Sequence, residues 1–275
     1  MKVYWNGSVV EERDVCISPW DLGFLRGFGV FDYFGVYAKK PFMAEAHFAR
    51  LETSANILSI PVPLSKDAFI ETVRKLIHEN NLNDGYVRVV LTGGISSNGM
   101  TRDGVPTFLI RPEVAKPIDM KPYEVGASLI TVEYMRDTPG AKTTHYAEAQ
   151  RNANRLTEEN AIEMLFTHKG YILECSRSNI FIVRDGVLIT PRDSILPGIT
   201  RLVVLEEAKK HGLKTEERAV LETELTDADE VFITGTGKGV VPIVKINKTV
   251  VSNGLPGTIT NVLMKRLGKR KREHA

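Results

Sequence analysis

Apolar and polar positions recur along this chain at two periods, and the switches between them mark out its elements. Val3-Tyr4-Trp5 and Val9-Val10 flank Asn6-Gly7, a pair that tolerates the positive φ angles of a tight hairpin. Phe48, Leu51, Ala55 and Leu58 stand at helical spacing within 46–59, and Phe69, Val73, Leu76 and Ile77 repeat it between Ser65 and Asn80. Two helices are therefore expected after the opening strands. Tyr86 to Leu91 and Thr107 to Ile110 read as short strands, separated by GGISSNGMTRDG, whose glycine and serine content predicts a mobile loop able to cover a site. Prolines 112, 117 and 122 argue against a continuing helix or central strand, so 112–122 is expected to be an interlobe linker.

Beyond that linker the pattern predicts strand 126–134, helix 145–159, and strands 163–167, 171–174, 178–184 and 187–190. Helix 199–211, strands 213–219, 230–234 and 240–246, and a terminal helix 257–267 follow. Asp185-Gly186 is a hairpin signal, and Gly212 after Lys209, Lys210 and His211 has the form of a helix C-cap with cations at the negative end of the dipole. The basic tail KRLGKRKREHA reads as a solvated, frayed end. The expected class is α+β in two lobes: an N-terminal α/β lobe over 1–111 and a mixed C-terminal lobe over 123–275.

Composition narrows the function more than the fold. With 43% hydrophobic and 25% charged residues over 275 positions, a sizeable core can form. Lys plus Arg (36) nearly balance Asp plus Glu (34), so nothing electrostatic points to nucleic acid or an anionic membrane, and small molecules are the expected partners. Cys16 and Cys175 are too few for a disulfide framework and lack CxxC spacing. Together with a polar Asn-Gly turn close to the N-terminus and no long apolar run, this predicts a cytoplasmic location. The six histidines form no HExxH pattern, and no metal is expected. GTGKG at 235–239 lacks Walker and Rossmann spacing, and no GxSxG elbow is present.

Six separated pieces carry the chemical signal: RGFGVFD (26–32), HFARL (47–51), AKTTHY (141–146), LECSRSNIF (173–181), ILPGITR (195–201) and DEVFITGT (229–236). Together and in this order they resemble the class IV pyridoxal-phosphate aminotransferases, which include branched-chain aminotransferase, D-amino-acid transaminase and aminodeoxychorismate lyase. The resemblance implies a two-lobed fold type IV enzyme with a β-barrel-like C-terminal lobe. It also implies a homodimer, with pyridoxal 5′-phosphate between the lobes and the partner's N-terminal loops completing the pocket.

By the same match Lys142 would carry the cofactor as a Schiff base and act as general base, and Glu174, 32 residues on, would pair with the pyridine nitrogen. Tyr146 would hydrogen-bond the ring's phenolic oxygen. Phosphate would fall to Arg50, to the helix start at Ile199 and Thr200, and to Thr236. Each has an ordinary alternative: a solvated lysine, a strand-edge glutamate, a half-buried tyrosine, a helix-surface salt bridge for Arg50, and a plain cap or turn for the others.

The substrate is less sharply written. Asn98 and Met100 stand where the best-known D-amino-acid transaminases carry an Arg-x-His carboxylate trap. Tyr86-Val87-Arg88 matches the Tyr-x-Arg of the branched-chain type, whereas Arg26 and Arg177 resemble a second set of D-amino-acid transaminases whose arginines recruit the α-carboxylate. Transamination between a D-amino acid and a 2-oxo acid such as 2-oxoglutarate or pyruvate is favoured. The alternatives are branched-chain L-amino-acid transamination, then aminodeoxychorismate lyase, then a noncatalytic cofactor-binding protein. The bland readings are a buried strand ion pair for Arg88, a loop surface charge for Arg26 and a turn residue for Arg177.

Overall fold

A computed structural model describes residues 1–274. Contacts divide the chain into two units, Met1–Pro117 with Ala141–Tyr146 and the residues from Lys271 on, and Ile118–Gly140 with Ala147–Arg270.

The first unit contains β1 (Lys2–Trp5), β2 (Ser8–Glu11), α1 (Leu22–Arg26), β3 (Gly29–Tyr37), β4 (Lys40–Pro41), α2 (Ala44–Ile57), α3 (Lys66–Glu79), β5 (Gly85–Thr92) and β6 (Phe108–Val114). Its strands form a six-stranded sheet in the order β2-β1-β6-β5-β3-β4, every pairing antiparallel. Strict alternation on β5 sends Val87, Val89 and Leu91 into the core and leaves Tyr86, Arg88 and Val90 on the other face. The expected hairpin is present, with Asn6 at φ 44° and Gly7 at φ 100°. Helix α3 buries Phe69, Val73, Leu76 and Ile77, the stripe its spacing predicts, and Ser65 caps it by accepting from Ala68 N–H. The buried stripe of α2 is mixed, since His47, Arg50 and Ser54 lie inside with Phe48 and Leu51.

Two expectations for this unit need correction. Pro112 does not end the strand: β6 runs on to Val114, paired to β5 along its length. Strand β1 pairs with β6 only at Leu109 and Ile110, so beyond Ile110 β6 is an edge, where a missing N–H is tolerated. Through His274 the tail is not frayed either; Ala275 lies outside the described residues. The tail continues the last helix to His274, whose Nε2 lies 3.0 Å from the Pro41 carbonyl and whose ring meets Phe42 edge-on. Lys271 Nζ sits 5.3 Å from the Tyr37 ring centre, and burial lowers its pKa to about 8. The loop after β5 is internally braced, with Asn98 Oδ1 accepting from Met100 and Thr101 N–H at 2.9 and 2.8 Å and Ser96 donating to the Thr101 carbonyl.

The second unit contains α4 (Lys121–Glu124), β7 (Ala127–Glu133), α5 (Ala147–Arg151), α6 (Ala153–Glu158), β8 (Glu163–His168), β9 (Tyr171–Cys175), β10 (Asn179–Arg184) and β11 (Val187–Pro191). It continues with α7 (Ile199–Lys210), β12 (Thr215–Arg218), β13 (Val220–Leu221), β14 (Glu230–Gly235), β15 (Gly239–Ile246), β16 (Thr249–Val250) and α8 (Thr258–His274), whose last turn groups with the first unit. Its strands form one mixed sheet, β12-β11-β10-β14-β15-β7-β8-β9-β13, with β16 on β15. Strand β9 also contacts β10 and β11, so the sheet curls back on itself around Leu129, Ile180, Ile182 and Ile233. The mixed α/β architecture with a barrel-like second unit is the expected one. One predicted helix, 145–159, is broken at Asn152, whose amide donates to the Glu148 carbonyl at 3.0 Å and competes with the helical ladder. No helix among the described residues is long and apolar enough to cross a membrane.

Candidate active site

Lys142 lies in a short segment that is zipped onto β3. Phe31 N–H donates to the Lys142 carbonyl at 2.9 Å, Thr144 N–H donates to the Gly29 carbonyl at 2.9 Å, and Thr144 Oγ1 donates to the Gly27 carbonyl. The Lys142 N–H in turn donates to Ser54 Oγ on α2 at 3.0 Å. A Cβ at position 29 would stand 2.9 Å from the Leu91 carbonyl oxygen and 3.3 Å from Thr144 Oγ1, so glycine is what lets the segment dock. Lys142 Nζ lies 4.5 Å from the Phe31 ring centre, and the same ring meets Tyr146 edge-on at 5.9 Å.

Beneath this segment the inward face of β3 presents a charge. Asp32 alternates with Val30, Phe34 and Val36 and is 1% exposed. Its carboxylate accepts from Arg50 Nε at 2.9 Å and Nη2 at 2.8 Å, and His47 Nδ1 lies 2.7 Å away. Burial raises the Asp32 pKa, but the charges and hydrogen bonds of Arg50 and His47 outweigh it and hold the carboxyl well below the usual range. Burial is the largest influence on the His47 pKa and, with the nearby charges of Arg50 and Lys142, leaves it below its ordinary value although Asp32 raises it. Arg50 is therefore buried and held rigidly, not the helix-surface ion pair that was the alternative. Asp32 and His47 fall inside two of the quoted motifs yet had no role there. The legible signal was an acid at an inward strand position, which requires a partner.

In the second unit Glu174, on β9, is 6% exposed. Arg136 Nε binds its Oε1 at 2.7 Å and Leu196 N–H donates to Oε2 at 2.9 Å. These fix its orientation. Arg136 was not foreseen. Ile199 and Thr200 open α7 behind Gly198, and no side chain caps this helix. Asn179 donates to the Leu196 carbonyl, and its Oδ1 comes so near Gly198 that a Cβ there would stand 2.0 Å from it. Thr236 lies half-buried in the turn joining β14 to β15, and the buried hydroxyl of the neighbouring Thr234 has no hydrogen-bond partner. An uncapped helix start with threonine hydroxyls at hand suits a phosphate dianion.

The candidate carboxylate residues differ in their surroundings. Arg88 pairs with Glu113 (Nε to Oε1, 2.6 Å) and lies over Tyr33, 4.7 Å from its ring centre, while Tyr86 stacks on Tyr33 at 4.9 Å. Arg26 is exposed at the end of α1 and donates through Nε to the Gly99 carbonyl at 3.0 Å. Arg177 is exposed, and its guanidinium enters no ion pair among the described residues.

The family model for class IV amino-transferases matches residues 29–246, and the chain belongs to that family. Class IV aminotransferases use pyridoxal 5′-phosphate. At the level of individual proteins, the chain is 37% identical over 278 residues to the "Putative branched-chain-amino-acid aminotransferase" of Methanocaldococcus jannaschii, covering 97% of this chain and 95% of that protein. It is 33% identical over 267 residues to a D-alanine aminotransferase of Listeria monocytogenes, covering 94% and 92%. Among solved structures, branched-chain amino acid aminotransferase of Escherichia coli superposes with a TM-score of 0.92 at 26% identity, covering 100% of this chain and 95% of that one.

Proposed function

We propose that this class IV aminotransferase moves an amino group between a D-amino acid and a 2-oxo acid such as pyruvate or 2-oxoglutarate. The observation that carries the reading is the contrast between two arginines. The Arg177 guanidinium is exposed and without an ion pair among the described residues, whereas Arg88 is already engaged by Glu113, a carboxylate it shares with Arg111. An α-carboxylate meets less competition at a guanidinium that has no carboxylate partner.

When bound, pyridoxal phosphate supplies an electrophilic aldehyde carbon and an electron-withdrawing ring. Lys142 would hold it covalently and, as a free amine, carry the proton between the substrate Cα and the cofactor's aldehyde carbon. Glu174, fixed by Arg136 and Leu196 N–H, would keep a proton on the ring nitrogen. Arg50, the N–H groups of Ile199 and Thr200, and the Thr236 hydroxyl would hold the phosphate, and Tyr146 the ring hydroxyl. A homodimer is favoured by Trp20, Phe24, Met100 and Val105 of the first unit, apolar side chains 53%, 72%, 71% and 82% exposed. Arg26 would then serve the neighbouring subunit's substrate.

Branched-chain L-amino-acid transamination is the second reading, supported by the name of the M. jannaschii relative and by the aromatic face of Tyr33 and Tyr86. Single-turnover absorbance with D-alanine, D-glutamate and L-leucine separates the two. Bleaching of the yellow cofactor band by D-substrates, weakened in Arg177→Ala, is expected. Bleaching by L-leucine alone would replace the first reading with the second, and product formed from one substrate without an amino acceptor would indicate the lyase.

A further inference from the structure

Glu163, on β8, has none of the roles assigned above, yet it is 0% exposed. Its carboxylate gathers donors from two turns. The Arg177 N–H and the Ser178 hydroxyl (2.9 Å) come from the turn after β9, and the Lys238 ammonium comes from the turn joining β14 to β15. Gly235 shows how closely these turns meet, because a Cβ there would lie 3.4 Å from Ser178 Oγ and 3.5 Å from the Arg177 carbonyl oxygen. A buried carboxylate is tolerated only with its charge partner and hydrogen bonds in place. Displacing either turn would take from Glu163 the donors that turn supplies, so the carboxylate favours one relative placement of the turns. The first turn carries Arg177 and the second carries Thr236.

We propose that Glu163 and Lys238 form a positioning pair that locks the carboxylate-recruiting turn to the phosphate-holding turn, so that substrate recognition and cofactor affinity rise and fall together. The inference rests on the roles proposed for Arg177 and Thr236. Neither member of the pair touches the reacting atoms.

Two constants read the coupling: the pyridoxal phosphate dissociation constant, from fluorescence titration of the apoprotein, and the KM for D-alanine at saturating cofactor. In Lys238→Met both should rise about tenfold, the scale of one charged hydrogen bond, with the loss in KM rather than kcat. Lys238→Arg, which keeps the charge, should recover most of each. Arg177→Ala should raise KM and leave cofactor affinity alone, which separates the turn from its side chain. Should Lys238→Met fail to fold, Ser178→Ala removes one donor without stranding a charge, and should shift both constants in the same direction by about threefold. A Lys238→Met protein with wild-type cofactor affinity, or one in which only one constant moves, overturns the positioning pair. An Arg177→Ala protein with unchanged KM instead overturns the carboxylate reading, and the cofactor titration still judges the pair.

Discussion

Replacing Asp32 by asparagine tests the buried cluster under Lys142 most directly. The substitution keeps one carbonyl acceptor but sets an NH2 against a guanidinium that now has no counter-ion, within a site where Asp32 is 1% and Arg50 8% exposed. Removing one partner of a buried pair costs about 3–5 kcal/mol, and the surviving carbonyl hydrogen bond offsets about 1 kcal/mol. A net loss of about 2–4 kcal/mol lowers the melting midpoint of the apoprotein by roughly 4–16 °C for a chain of this size. The pH dependence has a definite sign. The folded carboxyl titrates below its ordinary value of 3.8, so its contribution is complete above that value and is lost as the pH falls through the lower, folded one. Melting curves of both proteins from pH 7 to 3 should therefore show the Asp32 contribution to the gap shrinking once the pH falls below about 4. Pyridoxal phosphate binding should also weaken, because Arg50 loses the partner that aims it. A variant melting within about 2 °C of wild type at pH 7 would refute the reasoning.

Three further outcomes follow from the same geometry. Borohydride treatment of the loaded protein should add one phosphopyridoxyl mass at Lys142, and Lys142→Ala should show no such adduct while losing at least about a thousandfold in turnover. Glu174→Gln should bind the cofactor nearly as well as wild type but abstract the Cα proton about a hundredfold more slowly, with a larger isotope effect for Cα-deuterated substrate. Burial holds Lys271 at about 8, so between that value and its ordinary 10.5 the unfolded chain binds a proton the folded one lacks, and urea stability should rise with pH across this window. Lys271→Met should abolish the slope and be more stable than wild type at pH 7.

Local rules made much of this protein legible from its residues alone. Asn6-Gly7 and Asp185-Gly186 form the hairpins expected of them, at positive φ, because their preference is a property of the backbone at those residues. The stripe of α3 was visible since one face is apolar, while α2 blurs that periodicity by burying His47, Arg50 and Ser54. The six motifs pointed to the family and to pyridoxal phosphate because their residue types and order are a one-dimensional record of that chemistry. What surrounds each motif residue was decided only in three dimensions. Asp32 lies 18 residues from Arg50, and Glu174 lies 38 from Arg136. Glu163 lies 75 from Lys238. No periodicity links such pairs, because strand pairing and helix packing choose them. The same holds for Pro112, acceptable only because β6 becomes an edge past Ile110, and for the tail, which is helical where Lys271 and His274 find Tyr37 and Phe42. Residue chemistry states what a side chain can do, and the tertiary structure decides which neighbour it does it to, since burial and Coulomb energy depend on distance in space rather than along the chain.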